Sequence, residues 1–104
     1  MKRVALLSMV AALAACATTD PPESEMAAAR AMVAQARPVA QADAPAELAN
    51  AQGTLARAET AFQRGHYEHA RMLAIEAEAD AKLAWTTAEN TRAQRELQDE
   101  RTRR

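Results

Sequence analysis

Apolar residues recur along this chain at alternating intervals of three and four, the spacing of one face of an α-helix. Met26, Ala29, Val33 and Ala36 predict a first helix from about Glu23 to Ala36. Arg37-Pro38 ends it in this reading, because proline disfavours helical backbone at the residue before it. A second stripe, Leu48, Ala51, Leu55, Ala58 and Phe62, predicts a helix opening at Ala44-Pro45-Ala46-Glu47. Proline suits the first helical position, and Glu47 in the first turn complements the helix dipole. Gly65 supplies the permissive backbone of a helix stop. A third stripe, Tyr67, Ala70, Ala74, Ala77, Ala81, Ala84 and Ala88, starts near His66 and meets no breaker before the chain ends.

The fold expected is all-α: an antiparallel helical hairpin or small three-helix bundle with a long C-terminal helix. Return through Gly65 sets Leu55 near Ala74 and Leu48 near Ala81, with the first helix folded back beside both. Past Ala88 the third helix outruns its partners. Thr91 to Arg104 offers only Ala93 and Leu97 as apolar residues, so this stretch projects into solvent or onto a partner.

Composition sharpens that picture. The chain has 104 residues, 49% hydrophobic but only 3% aromatic, which allows one small domain. Alanine supplies most of the apolar count. It buries little area, about 25 cal/mol per Å², and lets helix axes approach at the low end of the usual range of about 8–10 Å. Modest stability follows, and with it an expectation that the domain self-associates or binds a helical partner. A net charge of -1 leaves no global basic field for nucleic acid. No strand-turn-helix serine elbow, phosphate-cradling loop or nucleophile-histidine-acid set is present, so no catalysis is expected, nor any cofactor.

The amino terminus carries an address. Met1-Lys2-Arg3 is cationic, Val4 to Ala15 is almost wholly apolar, and Cys16 follows small residues, which is the grammar of an export signal. A spanning helix needs roughly 20 apolar residues, more than this run supplies. Leu13-Ala14-Ala15-Cys16 resembles the bacterial lipobox, which implies cleavage before Cys16 and fatty acylation of its sulfur. The expected organisation is a cleaved signal over 1–15, a lipidated Cys16 with a flexible tether over 16–25, and a helical domain over 26–104. Acylation also accounts for a lone cysteine in an exported chain. The alternative is an ordinary signal cut after Ala12-Leu13-Ala14, leaving a soluble periplasmic protein. Ala17 stands where an aspartate would resemble an inner-membrane retention signal, so the location expected is the outer membrane, facing the periplasm.

Ala44-Pro45-Ala46-Glu47-Leu48 with Ala51, Leu55 and Ala58, then Gly65, Tyr67, Ala70, Leu73, Ala74, Ala77, Asp80 and Ala81, resembles a bacterial lipoprotein family of unknown function. Its alanine-rich helices occur alone or ahead of an OmpA-like peptidoglycan-binding domain. The resemblance implies a structural or protein-interaction module of the cell envelope, with peptidoglycan contact at most indirect here. It supplies no catalytic residues. Ala58, Phe62, Gly65, Tyr67 and Ala70 also look like the corner between the helices of a tetratricopeptide repeat, but no second copy follows to build a solenoid.

Three groups are candidate sites. His66 and His69 share a helix face, with Glu68 between them and Glu59 one turn down the second helix. Two imidazoles and a third ligand could hold zinc, which makes a periplasmic metal- or small-ligand-binding protein the alternative function. Surface histidines near a turn are the plainer reading. Trp85 lies beside the Ala81 and Ala88 seam, level with the expected Arg37 to Ala44 loop, either as a cap on the bundle or as a partner anchor. Arg101, Arg103 and Arg104 make the end of the chain basic, either as favourable charges at the helix dipole or as contacts to an anionic surface or partner. Met26, Met32 and Met72 read as adaptable core.

Overall fold

The computed structural model describes residues 20–104, and over them the chain forms three helices, α1 (Glu23–Asp43), α2 (Pro45–Gln63) and α3 (Tyr67–Arg103). The expected signal over 1–15 and the expected lipidation site Cys16 lie outside the described residues. The fold is all-α with a long C-terminal helix, as the periodicity predicts.

Helix α1 begins where its stripe predicts and departs from expectation at its far end. It starts at Glu23, so the last part of the expected 16–25 tether is helical. Pro22 is buried and its carbonyl accepts the Met26 amide at 3.0 Å, which ties the segment to the bundle. At the other end the helix continues through Pro38 to Asp43. Pro38 cannot donate to the carbonyl of Ala34, but both residues are exposed and water can reach that carbonyl. Meanwhile Ala36 and Ala40 are fully buried on the seam. Packing of the inner face outweighs the local penalty on the outer one.

The expected Arg37 to Ala44 loop is therefore a single residue, Ala44 (φ -150°, ψ 57°). Its amide donates to Ala40 O at 2.9 Å and its carbonyl accepts from Leu48 at 3.0 Å, so the reversal leaves few free backbone groups. Pro45 opens α2 at the expected position.

Helix α3 is the spine, and α1 and α2 both lie along it while touching each other less. Arg71 near the start of α3 meets Glu25 near the start of α1, and Arg95 further along meets Asp43 at the end of α1, so these two run parallel. Thr54 meets Asp80 across the antiparallel α2 and α3. The core falls into two clusters. One gathers Met26, Ala29, Ala58, Ala61, Ala70, Leu73, Ala74 and Ala77 at the end holding the α2–α3 turn. The other gathers Val33, Ala36, Ala40, Ala44, Leu48, Ala51, Ala81, Ala84 and Ala88 toward the α1–α2 reversal. Leu48 and Ala81 share a cluster as the helix lengths predict, and Leu55 packs against both clusters.

Pro38→Ala restores an amide donor to an exposed helix interior and should stabilise the fold by about 2 kcal/mol, less the entropy it returns to the unfolded chain. Urea denaturation checks this: an unchanged or lower midpoint would show that α1 gains nothing from helix past Ala36.

Candidate functional site

The α2–α3 corner is set by backbone hydrogen bonds. His66 N–H donates to Ala61 O at 2.9 Å and Gly65 N–H to Phe62 O at 3.0 Å, with Gly65 at φ 78°. This is the paired closure that lets a left-handed glycine end a helix. The rings of Phe62 and Tyr67 then meet at 5.6 Å, tilted by 54°, across the corner.

That corner places His66 just before α3 and His69 in its first turn, both exposed. They line a shallow groove of about 320 Å³ with Arg57, Thr60, Arg64 and Leu73. Two guanidiniums beside the imidazoles make it cationic. Glu68, between the two histidines, accepts from Arg71 at 3.0 Å, and Glu59, one turn down α2, accepts from Arg30 Nε at 2.9 Å. Among the described residues no three His, Cys, Asp or Glu side chains are grouped to hold a metal ion. The electrostatics suit an anion better than a cation, and no third ligand stands beside the two imidazoles among the described residues.

Beside the corner, Arg71 donates to Glu25 at 3.4 Å, to Glu68 at 3.0 Å and to the carbonyl of Asp20 at 3.3 Å. One side chain thus fastens the entry of α1 to the start of α3. Sequence reading misses it, because the partners stand far apart in the chain and only the parallel packing of α1 on α3 brings them together. It also misses Thr54, which is 1% exposed. The Thr54 hydroxyl proton lies between Asn50 O at 3.0 Å and Asp80 Oδ2 at 3.1 Å, and its oxygen accepts from Arg57 Nη2 at 3.2 Å. A signal existed: Thr54 falls three residues past Ala51 and four before Ala58, on the buried stripe itself.

Trp85 is half-buried and packs against the cluster toward the α1–α2 reversal. With no loop between Arg37 and Ala44 to cap, it instead walls a groove of about 310 Å³ with Met32, Gln35, Lys82 and Thr86, against the side of α1. The methionines separate. Met26 is core and Met32 half-buried, but Met72 is 63% exposed and corrects the expectation of a core role. It lies on the outer face of α3, whose large apolar residues Ile75, Leu83 and Leu97 are 54%, 57% and 58% exposed.

The end of α3 is helical to Arg103. Arg95 donates to Asp43 at 2.6 Å, and the Asp43 side chain is only 9% exposed, so this arginine closes the end of α1. Arg101, Arg103 and Arg104 are exposed beyond it, with Arg101 beside Gln94, Leu97 and Gln98.

A family model described as a domain of unknown function (DUF4398) matches residues 24–99, the helical domain with most of the projecting end. Searches of curated proteins and of solved structures give no match.

Two outcomes follow. Thr54→Val keeps the volume but removes the hydroxyl, and should cost about 1 kcal/mol in denaturant unfolding; a neutral result would mean that the contact to Asp80 contributes nothing. Zinc added in excess should leave the melting temperature where it was, whereas a rise of several degrees would reinstate a metal site at His66 and His69.

Proposed function

We propose that this chain, which belongs to the DUF4398 family, is an outer-membrane lipoprotein acting as a non-catalytic structural or interaction module of the cell envelope. The observation that carries this reading is the sequence Leu13-Ala14-Ala15-Cys16 behind a cationic and then apolar leader. Acyl chains on Cys16 supply the anchor, since two or more at about 0.8 kcal/mol per buried CH₂ hold a protein to a bilayer. No helix among the described residues is long and apolar enough to cross a membrane, so the anchoring falls to the lipid.

The reading also orients the bundle. From Cys16 to Asp20 the chain can span at most about 14 Å. Asp20 is held beside the start of α3 by Arg71. The cationic groove of Arg57, Arg64, His66 and His69 then lies at the membrane-proximal end, where it suits anionic headgroups. Helix α3, at 37 residues, rises away from the bilayer for about 55 Å. It carries Arg101, Arg103 and Arg104 into the periplasm, where they suit an acidic partner surface. Function on this reading is spacing and display: a short bundle at the membrane and a long helix reaching outward.

Cys16→Ala is the test. It should abolish incorporation of radiolabelled palmitate and move the protein from the membrane pellet to the soluble fraction. Wild-type chain recovered free in the aqueous fraction with an unmodified thiol would overturn the proposal.

A further inference from the structure

Helix α3 has two apolar faces. The inner one, Ala70, Ala74, Ala77, Ala81, Ala84 and Ala88, is fully buried against α1 and α2. At about 100° per residue, Met72, Ile75, Ala79, Leu83, Ala93 and Leu97 fall on the opposite side, roughly 180° away. All six are exposed. Beyond Ala88 the inner face turns polar with Arg92, Arg95 and Asp99, while the outer stripe continues through Ala93 and Leu97. The only apolar residues of the projecting end therefore line up with the uncovered face and not with the intramolecular seam.

That outer stripe has the register of a two-stranded coiled coil. In heptads, Leu83, Asn90 and Leu97 occupy the a positions and Ala79, Thr86 and Ala93 the d positions. The buried alanines fall at b and f, diametrically away, so a partner can dock without disturbing the bundle. The flanking positions name the partner. In a parallel pair each g residue faces the e residue five positions on in the other chain. Glu96 then faces Arg101 twice by symmetry, Glu89 faces Gln94 and Lys82 faces Thr87, with no like charges opposed between Ala79 and Leu97. Asn90 meets Asn90, the single polar a layer that fixes register in parallel dimers.

We propose that the outer face of α3 is a homodimer seam on which a second copy of this chain packs in parallel through Ala79 to Leu97. The parallel sense rests also on the anchored reading above, because α1 and α3 start at the same end, and two chains held in one leaflet rise side by side. The two bundles sit on opposite outer flanks of the paired helices, so the dimer doubles the anchor at the bilayer and presents two sets of Arg103 and Arg104 at the far end.

The experiment uses the full chain carrying Cys16→Ser and Ala79→Cys, which leaves one thiol. In the parallel pair the two introduced thiols meet and oxidise to a disulfide-linked dimer. In an antiparallel pair centred on the seam they stand about 27 Å apart. Sedimentation of the Cys16→Ser chain should give twice the monomer mass, and Leu83→Glu with Leu97→Glu should return it to one, with crosslinking reduced at least tenfold. Both leucines are exposed, so a cooperative urea unfolding transition retained by the variant serves as the folding control. A chain that stays monomeric at 100 µM, or a dimer that fails to crosslink at residue 79, overturns the proposal, as does a monomer that floats with lipid vesicles through this face. Palmitate labelling of the wild type is read separately: a dimer that crosslinks in a chain never lipidated leaves the seam standing and removes the anchor.

Discussion

Close approach of helix axes along α3 is the constraint on which the rest of this structure depends. Nearly every inner position of α3 is alanine, and alanines of α1 and α2 face them. With only methyl groups between the axes, each helix backbone serves as a packing surface for its neighbours, and any larger side chain on the seam would hold the helices apart along their length. The same constraint explains the one-residue reversal at Ala44. Two helices that sit so close need little chain to connect them, and a small buried side chain at the reversal continues the stripe from Ala40 to Leu48 without a gap. The polar residues that enter this seam have to be small or fully engaged. Thr54 is both: its hydroxyl bonds within its own turn and to Asp80, so it crosses from α2 to α3 where alanine alone would leave the antiparallel register less defined.

How much of this was legible in the sequence depends on whether the information was periodic or long-range. The three-four stripes name nearly all the buried positions, and Gly65 marks the corner, because both are local consequences of helical geometry. Pro38 misleads for an equally physical reason. Its cost is local and falls on an exposed turn, whereas the gain from Ala36, Ala40 and Ala44 comes from burial against α3, which no local rule sees. Arg71 and Arg95 escape notice because their partners lie on α1, and only the parallel packing of α1 on α3 reveals them. At the candidate site, the pairing of His66 with His69 was readable from spacing. The arginines that make the groove cationic, and the turning of Glu59 toward Arg30, were not, and together they make that corner better suited to an anion than spacing alone suggests.

A division of labour along the long axis follows. The turn end of the bundle holds the cationic groove, the aromatic corner and the Arg71 staple, all close to where the chain enters from Cys16. The middle holds the densest alanine packing and the half-buried Trp85 against α1. The far end is α3 alone. The grooves beside His66 and Trp85 lie open on the surface. A chain so arranged has surfaces of different character at its two ends and a rigid element of fixed length between them. On the function proposed above, those attributes suit a spacer with one surface at its base and another at its tip.

The stability of that tip poses the sharpest physical question. Isolated helices shorter than about 12–15 residues are marginal in water, because the first turn costs entropy that few later bonds repay. Thr91 to Arg103 is about that long and, among the described residues, has no partner from another helix past Arg95. It gains from continuing an existing helix, so nucleation is already met. It gains also from Arg101 and Arg103 in the last turn, where positive charge favours the dipole's negative end. These contributions amount to a few tenths of a kcal/mol each on an exposed surface. Holding the helix rigid over its full length needs burial of Ala93 and Leu97 as well, and those face away from the bundle. The most economical solution consistent with the charges flanking them is a second helix of the same sequence, for which every layer meets its own kind and Glu96 meets Arg101. Helicity of the tip and pairing of the chains are then one equilibrium: whatever separates the copies should also let the end of α3 fray, while the alanine seam nearer the base stays closed.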